Sequence, residues 1–174
     1  AASAALCGFA VESEAAYSGG QRSVARLRAS SVAASWMSTA TGGRHAITGG
    51  LGGLGLRAAA RLIVHDAIGV ALCSRSGHIV RDGEGLDSQL ASLGVPASLV
   101  ACDVGDTPDS LSFLAHSDFS GVMHAAGVLR DRMLRSMPIA DVRAVFAPKA
   151  IATSHLAAVV AQAPLDAFGL FSSI

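Results

Sequence analysis

The sequence predicts an α/β fold: a doubly wound parallel sheet with helices on both faces. Three observations lead there. From residue 44 onward, short β-like runs alternate with helix-like runs. Five glycines fall within residues 49–55, in "ITGGLGGLGLRAAARL" (47–62), between an apolar run and a helical one. Hydrophobic residues make up 51% of the chain and charged residues only 15%, a composition that builds cores rather than disordered chain.

The elements follow in order. Residues 1–43 read as the tail of a preceding segment plus a linker. "AAYSGGQRSVARLRA" suggests a hairpin around Gly19-Gly20, and "ASSVAASWMSTATGG" is a Ser/Ala-rich connection. Residues 44–174 carry the α/β pattern. "RHAIT" (44–48) is a strand. Residues 53–65 are a helix, with Leu54, Ala58, Arg61, Leu62 and His65 at helical spacing. "IGVALCS" (68–74) is a strand, and 86–94 is a short helix closed by Gly94. "PASLVACDV" (96–104) is a strand, and 107–116 is a helix that Asp106 or Thr107 could cap. "FSGVMHAAG" (119–127) is a strand, 138–163 is one helix, and "LDAFGLFSS" (165–173) is a further strand. The expected architecture is thus Rossmann-like and C-terminally incomplete.

Bulk properties exclude several functions. Thirteen basic and 13 acidic residues balance to zero, so nothing draws the chain to nucleic acid or an anionic membrane. No apolar run is long enough to span a bilayer, and the first residues lack the basic start of a signal peptide. Cys7, Cys73 and Cys102 form no CxxC pair, which suits a cytoplasmic or other soluble reducing compartment, a plastid included. Cys73 and Cys102 end β-like runs and read as small buried side chains. The six histidines show neither HxxxH nor HExxH spacing, so no metal site is expected.

The glycines carry the functional signal. Gly50, Gly52 and Gly55 satisfy GxGxxG, after a strand and opening a helix. A dinucleotide pyrophosphate against that helix N-terminus would meet free N–H groups and the positive end of the dipole. A β-carbon at the turn would push it away. About 20 residues further on, a protein binding NAD places an acid on the ribose. Here the chain reads "CSRSG" (73–77), with Ser74, Arg75 and Ser76. A guanidinium among hydroxyls favours a 2′-phosphate, hence NADPH. Asp103 could accept a hydrogen bond from an adenine amino group, or serve as a turn residue.

With those residues in view the chain resembles the ketoreductase domains of modular polyketide synthases and animal-type fatty acid synthase, within the short-chain dehydrogenase/reductase superfamily. "ITGGLGGLG", "LCSRSG", "ACDVGD", "GVMHAAGVLRDRML", "FAPKA" and "LDAFGLFSSI" occur in that family's order. The resemblance covers residues 44–174. It implies that Thr48, Gly49, Gly50, Leu51, Gly52, Gly53, Leu54 and Gly55 form the cofactor loop. It implies Arg75 at the 2′-phosphate, Asp103 and Val104 at the adenine, and Ala125, Ala126 and Gly127 beside the nicotinamide ribose. Lys149 matches the catalytic lysine and Ser173 the catalytic serine. The implied reaction is NADPH-dependent reduction of a 3-ketoacyl thioester held by an acyl carrier protein, within a multidomain synthase.

The family's catalytic tyrosine is expected roughly a dozen residues past Ser173, beyond Ile174. The single tyrosine, Tyr17, lies in the leading segment. The chain therefore reads as a piece of a longer protein, expected to be inactive by itself and short of its last strands. In the stretch after "HAAG", the family's second acid is present as Asp131 while Arg130 replaces the first. That leans toward B-type stereochemistry, or else Asp131 simply pairs with Arg130, Arg132 or Arg135. Two other readings stand beside the reductase. Gly49, Gly52 and Gly55 also satisfy the TGxxGxxG loop of sugar-nucleotide epimerases, against which Arg75 and Lys149 speak. A structural reductase-like domain without activity would typically have lost its glycines or its lysine.

Overall fold

In a computed structural model of the chain, the structure describes residues 15–24, 42–80, 85–115, 118–162 and 164–172. Cys7, His116 and Ser173 lie outside them. The described residues fall into two units, one before and one after the 33/34 junction.

The first unit contains a two-stranded antiparallel hairpin, β1 (Ala16–Ser18) and β2 (Gln21–Ser23). Gly19 and Gly20 turn it with φ of +56° and +78°. Two consecutive positive φ values match the right-handed twist of the flanking strands, which is why the Gly-Gly pair marks the turn.

The second unit is a five-stranded sheet. Its strands are β3 (Gly43–Thr48), β4 (Ala67–Ser74), β5 (Ala97–Ala101), β6 (Phe119–His124) and β7 (Ala167–Leu170). They lie in the order β5-β4-β3-β6-β7 and every pairing is parallel. The crossovers carry α1 (Gly53–Val64), α2 (Leu86–Ala91), α3 (Thr107–Ala115) and a long helical segment before β7. Among the described residues, no helix is long and apolar enough to cross a membrane.

Strand alternation splits the core into two layers. Ile47, Val70 and Leu72 face Leu56, Ala59 and Leu62 of α1 and Leu86 of α2. Ala46, Ala71, Cys73 and Val122 face the other way, with Phe113 of α3 and Leu156 of the segment before β7. Gly121 is required here, because a β-carbon on it would stand 2.6 Å from Nδ1 of the buried His45.

Several elements differ from the sequence reading. The inward stripe of α1 runs through Leu56, Ala59 and Leu62, while Leu54 in the first turn is half exposed. β5 stops at Ala101 and β6 at His124, so Asp103 and the "AAG" stretch sit in the exits beyond the strands. The helix expected over 138–163 is three pieces: α4 (Ile139–Phe146), a π-helical turn (Ala147–Ile151) and α5 (Ala152–Val160). Pro148 lies inside that turn. It has no N–H to donate and its ring crowds the preceding turn, so the ladder shifts there from i−4 to wider bonds.

Candidate active site

The strand order reverses at β3, between β4 and β6. In open α/β sheets that reversal leaves a crevice at the C-terminal strand ends. The glycine turn leaves β3 at this point. Gly49 has φ +69°, and a β-carbon on it would lie 2.6 Å from both N and Cα of Ala126. A β-carbon on Gly50 would stand 2.7 Å from the Ile47 carbonyl oxygen and 2.8 Å from Leu72 Cα. One on Gly55 would overlap the backbone of Gly49 and Gly50. These three glycines answer to the protein's own packing.

Gly52 and Gly53 do not. A β-carbon on Gly52 would have only the Gly49 carbonyl oxygen nearby, at 3.4 Å, and one on Gly53 only Leu86 Cδ2, at 3.9 Å. Above them opens a cavity of about 570 Å³. Gly49, Leu51, Gly52, Gly53, Ser74, Arg75, Ser76, Ala125, Ala126 and Gly127 all line it. Gly52 caps α1, whose first-turn N–H groups have no intrahelical acceptor, and no acid occupies that turn.

The rim is held by local bonds. Ser74 Oγ accepts from Gly77 N at 3.0 Å, which leaves its proton free to donate outward. Ser76 Oγ instead donates to the His78 carbonyl at 2.9 Å. Ser74 O accepts from Cys102 N, bringing the β5 exit beside the β4 exit. Asp103 Oδ1 accepts from Gly105 N at 2.9 Å, making it a turn residue, while its exposed carboxylate keeps acceptor capacity. Val104 is buried in the layer under α3. Cys73, also buried there, donates weakly to the Cys102 carbonyl; burial pushes its thiol far up, which suits a packing role and not a nucleophile.

On the β6 side, Lys149 reaches back from the π turn. Its Nζ donates to the Phe171 carbonyl at 2.9 Å, and its Cε lies 3.1 Å from where a β-carbon on Gly127 would be. Thr48 is fully buried and does not line the cavity; its hydroxyl lies 2.6 Å from His124 Nδ1. Leu54 is half exposed and is not among the lining residues. Asp131 is exposed, and the arginines beside it choose another partner: Arg132 Nε donates to Asp141 Oδ2 at 2.5 Å, with Arg130 Nε 3.9 Å from Oδ1. A larger cavity of about 710 Å³ opens between α3 and α5, beside Leu111, Val122 and Val159, and holds none of the expected site residues.

Residues 43–174 match the KR domain family. The chain belongs to that family. Ketoreductase domains are oxidoreductases, and the relatives of this one are polyketide synthases. Polyketide synthase GfsA of Streptomyces halstedii is 38% identical over 131 residues, covering 73% of this chain and 2% of that protein. The chain thus spans a small fraction of the length of such relatives. Among solved structures, an A1-type ketoreductase aligns with TM-score 0.73 at 32% identity, over 93% of this chain and 36% of that one. An A-type ketoreductase from a modular polyketide synthase aligns with TM-score 0.67 at 34% identity, over 76% and 29%. The ketoreductase family and the Rossmann-like parallel sheet both agree with the sequence reading.

Proposed function

We propose that residues 44–174 are the cofactor-holding part of an NADPH-dependent ketoreductase, and residues 1–43 its leading segment and linker. The reaction is reduction of the β-keto group of a 3-ketoacyl thioester, carried by an acyl carrier protein, to a 3-hydroxyacyl thioester. The neighbours would be the other domains of a synthase in a reducing compartment. The carrying observation is convergence: the open glycines and Arg75 line one cavity, and the Lys149 stem packs beside Gly127, which lines the same cavity.

The residues fit the dinucleotide. Gly52 and Gly53 leave space that the protein does not fill, in front of unpaired N–H groups suited to a pyrophosphate. Arg75 and the free proton of Ser74 suit a 2′-phosphate, and among the described residues no acid lines the cavity to repel it. When bound, NADPH supplies the hydride. The chain supplies the rest. Ala125–Gly127 give a side-chain-poor wall for the nicotinamide ribose. Lys149 directs one ammonium proton to Phe171 and keeps two for the site, stabilising negative charge as the carbonyl oxygen becomes an alkoxide. Ser173 is assigned to polarise that carbonyl.

Two measurements test this. Fluorescence titration of the chain should show NADPH binding more tightly than NADH. In the protein that contains this domain, loss of NADPH absorbance with a 3-ketoacyl thioester analogue should be abolished by Lys149→Ala, with NADPH affinity retained. Binding without turnover in the unsubstituted protein would instead indicate a structural domain that kept its cofactor loop.

A further inference from the structure

We propose that His124 is a positioning residue for Lys149: its imidazole bridges the Thr48 hydroxyl and the Pro148 carbonyl, and so aims the lysine. The importance of aiming Lys149 rests on the ketoreductase reading; the bridge itself does not.

His124 ends β6 and is 1% exposed. Its Nε2 lies 2.7 Å from the Pro148 carbonyl oxygen and its Nδ1 2.6 Å from Thr48 Oγ1. A carbonyl can only accept, so Nε2 carries the proton. In the neutral ring Nδ1 is then bare, and the threonine hydroxyl donates to it. One tautomer satisfies both contacts. Burial, with the Lys149 charge nearby, lowers the proton affinity of the ring and keeps it in this form.

The Pro148 carbonyl needs such a partner. The N–H groups that close the π turn bond the carbonyls of Ala147 and Lys149 and pass over the one between them. A carbonyl partly withdrawn from water is costly to leave unpaired, and His124 supplies the donor. The bond also fixes the 148–149 peptide plane, because that unit is rigid. The plane sets the direction in which the Lys149 side chain leaves the turn, over Gly127 and toward Phe171. Thr48, at the end of β3, thereby anchors the lysine turn to the central strand.

Lys149 is the only lysine in the sequence, so its ε-protons can be observed alone by selective isotope labelling. The readout is the nuclear Overhauser contact between those protons and the Gly127 α-protons. It requires neither cofactor nor turnover, so failure of the reductase reading is scored separately. His124→Gln keeps an amide donor near the place of Nε2, and His124→Met fills the site without one. The contact should be present in the native chain, retained in His124→Gln and lost in a folded His124→Met. A folded His124→Met that keeps the contact overturns the proposal. If His124→Met does not fold, ring ¹⁵N shifts of the native chain decide, with His124 assigned by its absence in His124→Gln. Protonated Nε2 with bare Nδ1 at neutral pH supports the bridge; the opposite tautomer or a charged ring overturns it.

Discussion

The stem of Lys149 lies across Gly127, with its Cε 3.1 Å from the place a β-carbon there would take. That contact is tighter than ordinary packing, and the lysine cannot simply swing away, because its Nζ is tied to the Phe171 carbonyl. Gly127→Ala should therefore displace the ammonium by a few tenths of an ångström and leave the sheet intact. On the ketoreductase reading, kcat should fall roughly tenfold or more, since sub-ångström placement of a catalytic group governs the rate. The melting temperature should barely move. Steady-state kinetics beside a thermal melt check both halves, and an unchanged kcat would show that the stem is not held where the geometry puts it.

The glycines of the turn should separate by substitution. Gly49→Ala places a β-carbon on the Ala126 backbone at φ +69°, combining left-handed strain with a collision. About 1–3 kcal/mol for the strain and a similar amount for overpacking should strip much of the domain's stability. Gly52→Ala meets nothing closer than 3.4 Å, at an ordinary φ of −92°. On the ketoreductase reading it should melt like the native chain yet bind NADPH at least tenfold more weakly, because its methyl group would enter the space proposed for phosphate. Chemical denaturation and cofactor titration of the two variants distinguish packing from binding.

Arg75 lines the cavity, and no carboxylate bond to its guanidinium occurs among the described residues. Removing it should not disturb the fold. Charge-assisted hydrogen bonds are worth roughly 1.5–3 kcal/mol, so Arg75→Ala should weaken NADPH binding about 10- to 100-fold. NADH, which lacks the 2′-phosphate, should bind Arg75→Ala as it binds the native chain. Equal loss for both cofactors would place the arginine on a part they share.

Most of this architecture was legible in the sequence because it is written in local periods. Each sheet strand is a short apolar run, and α1 carries its inward residues at 3.6 spacing even though the stripe passes through Leu56 rather than Leu54. What stayed hidden depends on residues far apart. Thr48 and His124 are 76 positions apart, and no pattern links them until β3 and β6 pair. Pro148 reads locally as an awkward residue in a helix, and only the π turn around it shows why it is tolerated. Asp141, not Asp131, gathers Arg130 and Arg132, since the intervening 3₁₀ turn (Leu134–Ser136) folds α4 back toward them. Likewise five glycines look alike in a string, but Gly49, Gly50 and Gly55 meet backbone while Gly52 and Gly53 face open space.

Acid should find the His124 bridge before it finds the rest of the fold. The ring's proton affinity in the folded chain is pushed below the ordinary histidine value of 6.5, first by burial and then by the Lys149 charge, with the Pro148 bond acting in the other direction. Between the lowered value and 6.5 the unfolded chain binds more protons than the folded one. Stability from this group is therefore complete above about pH 7 and is lost as the pH falls through 6.5, at up to ~1.4 kcal/mol per pH unit. Protonation also takes away the bare Nδ1 that accepts from Thr48, so the buried pair of contacts and the neutral ring fail together. Melting temperatures from pH 7.5 down to pH 5 should decline in the native chain and decline less in His124→Gln, which has no ring to titrate but leaves the other histidines in place. Parallel slopes in the two proteins would assign the acid sensitivity to another group.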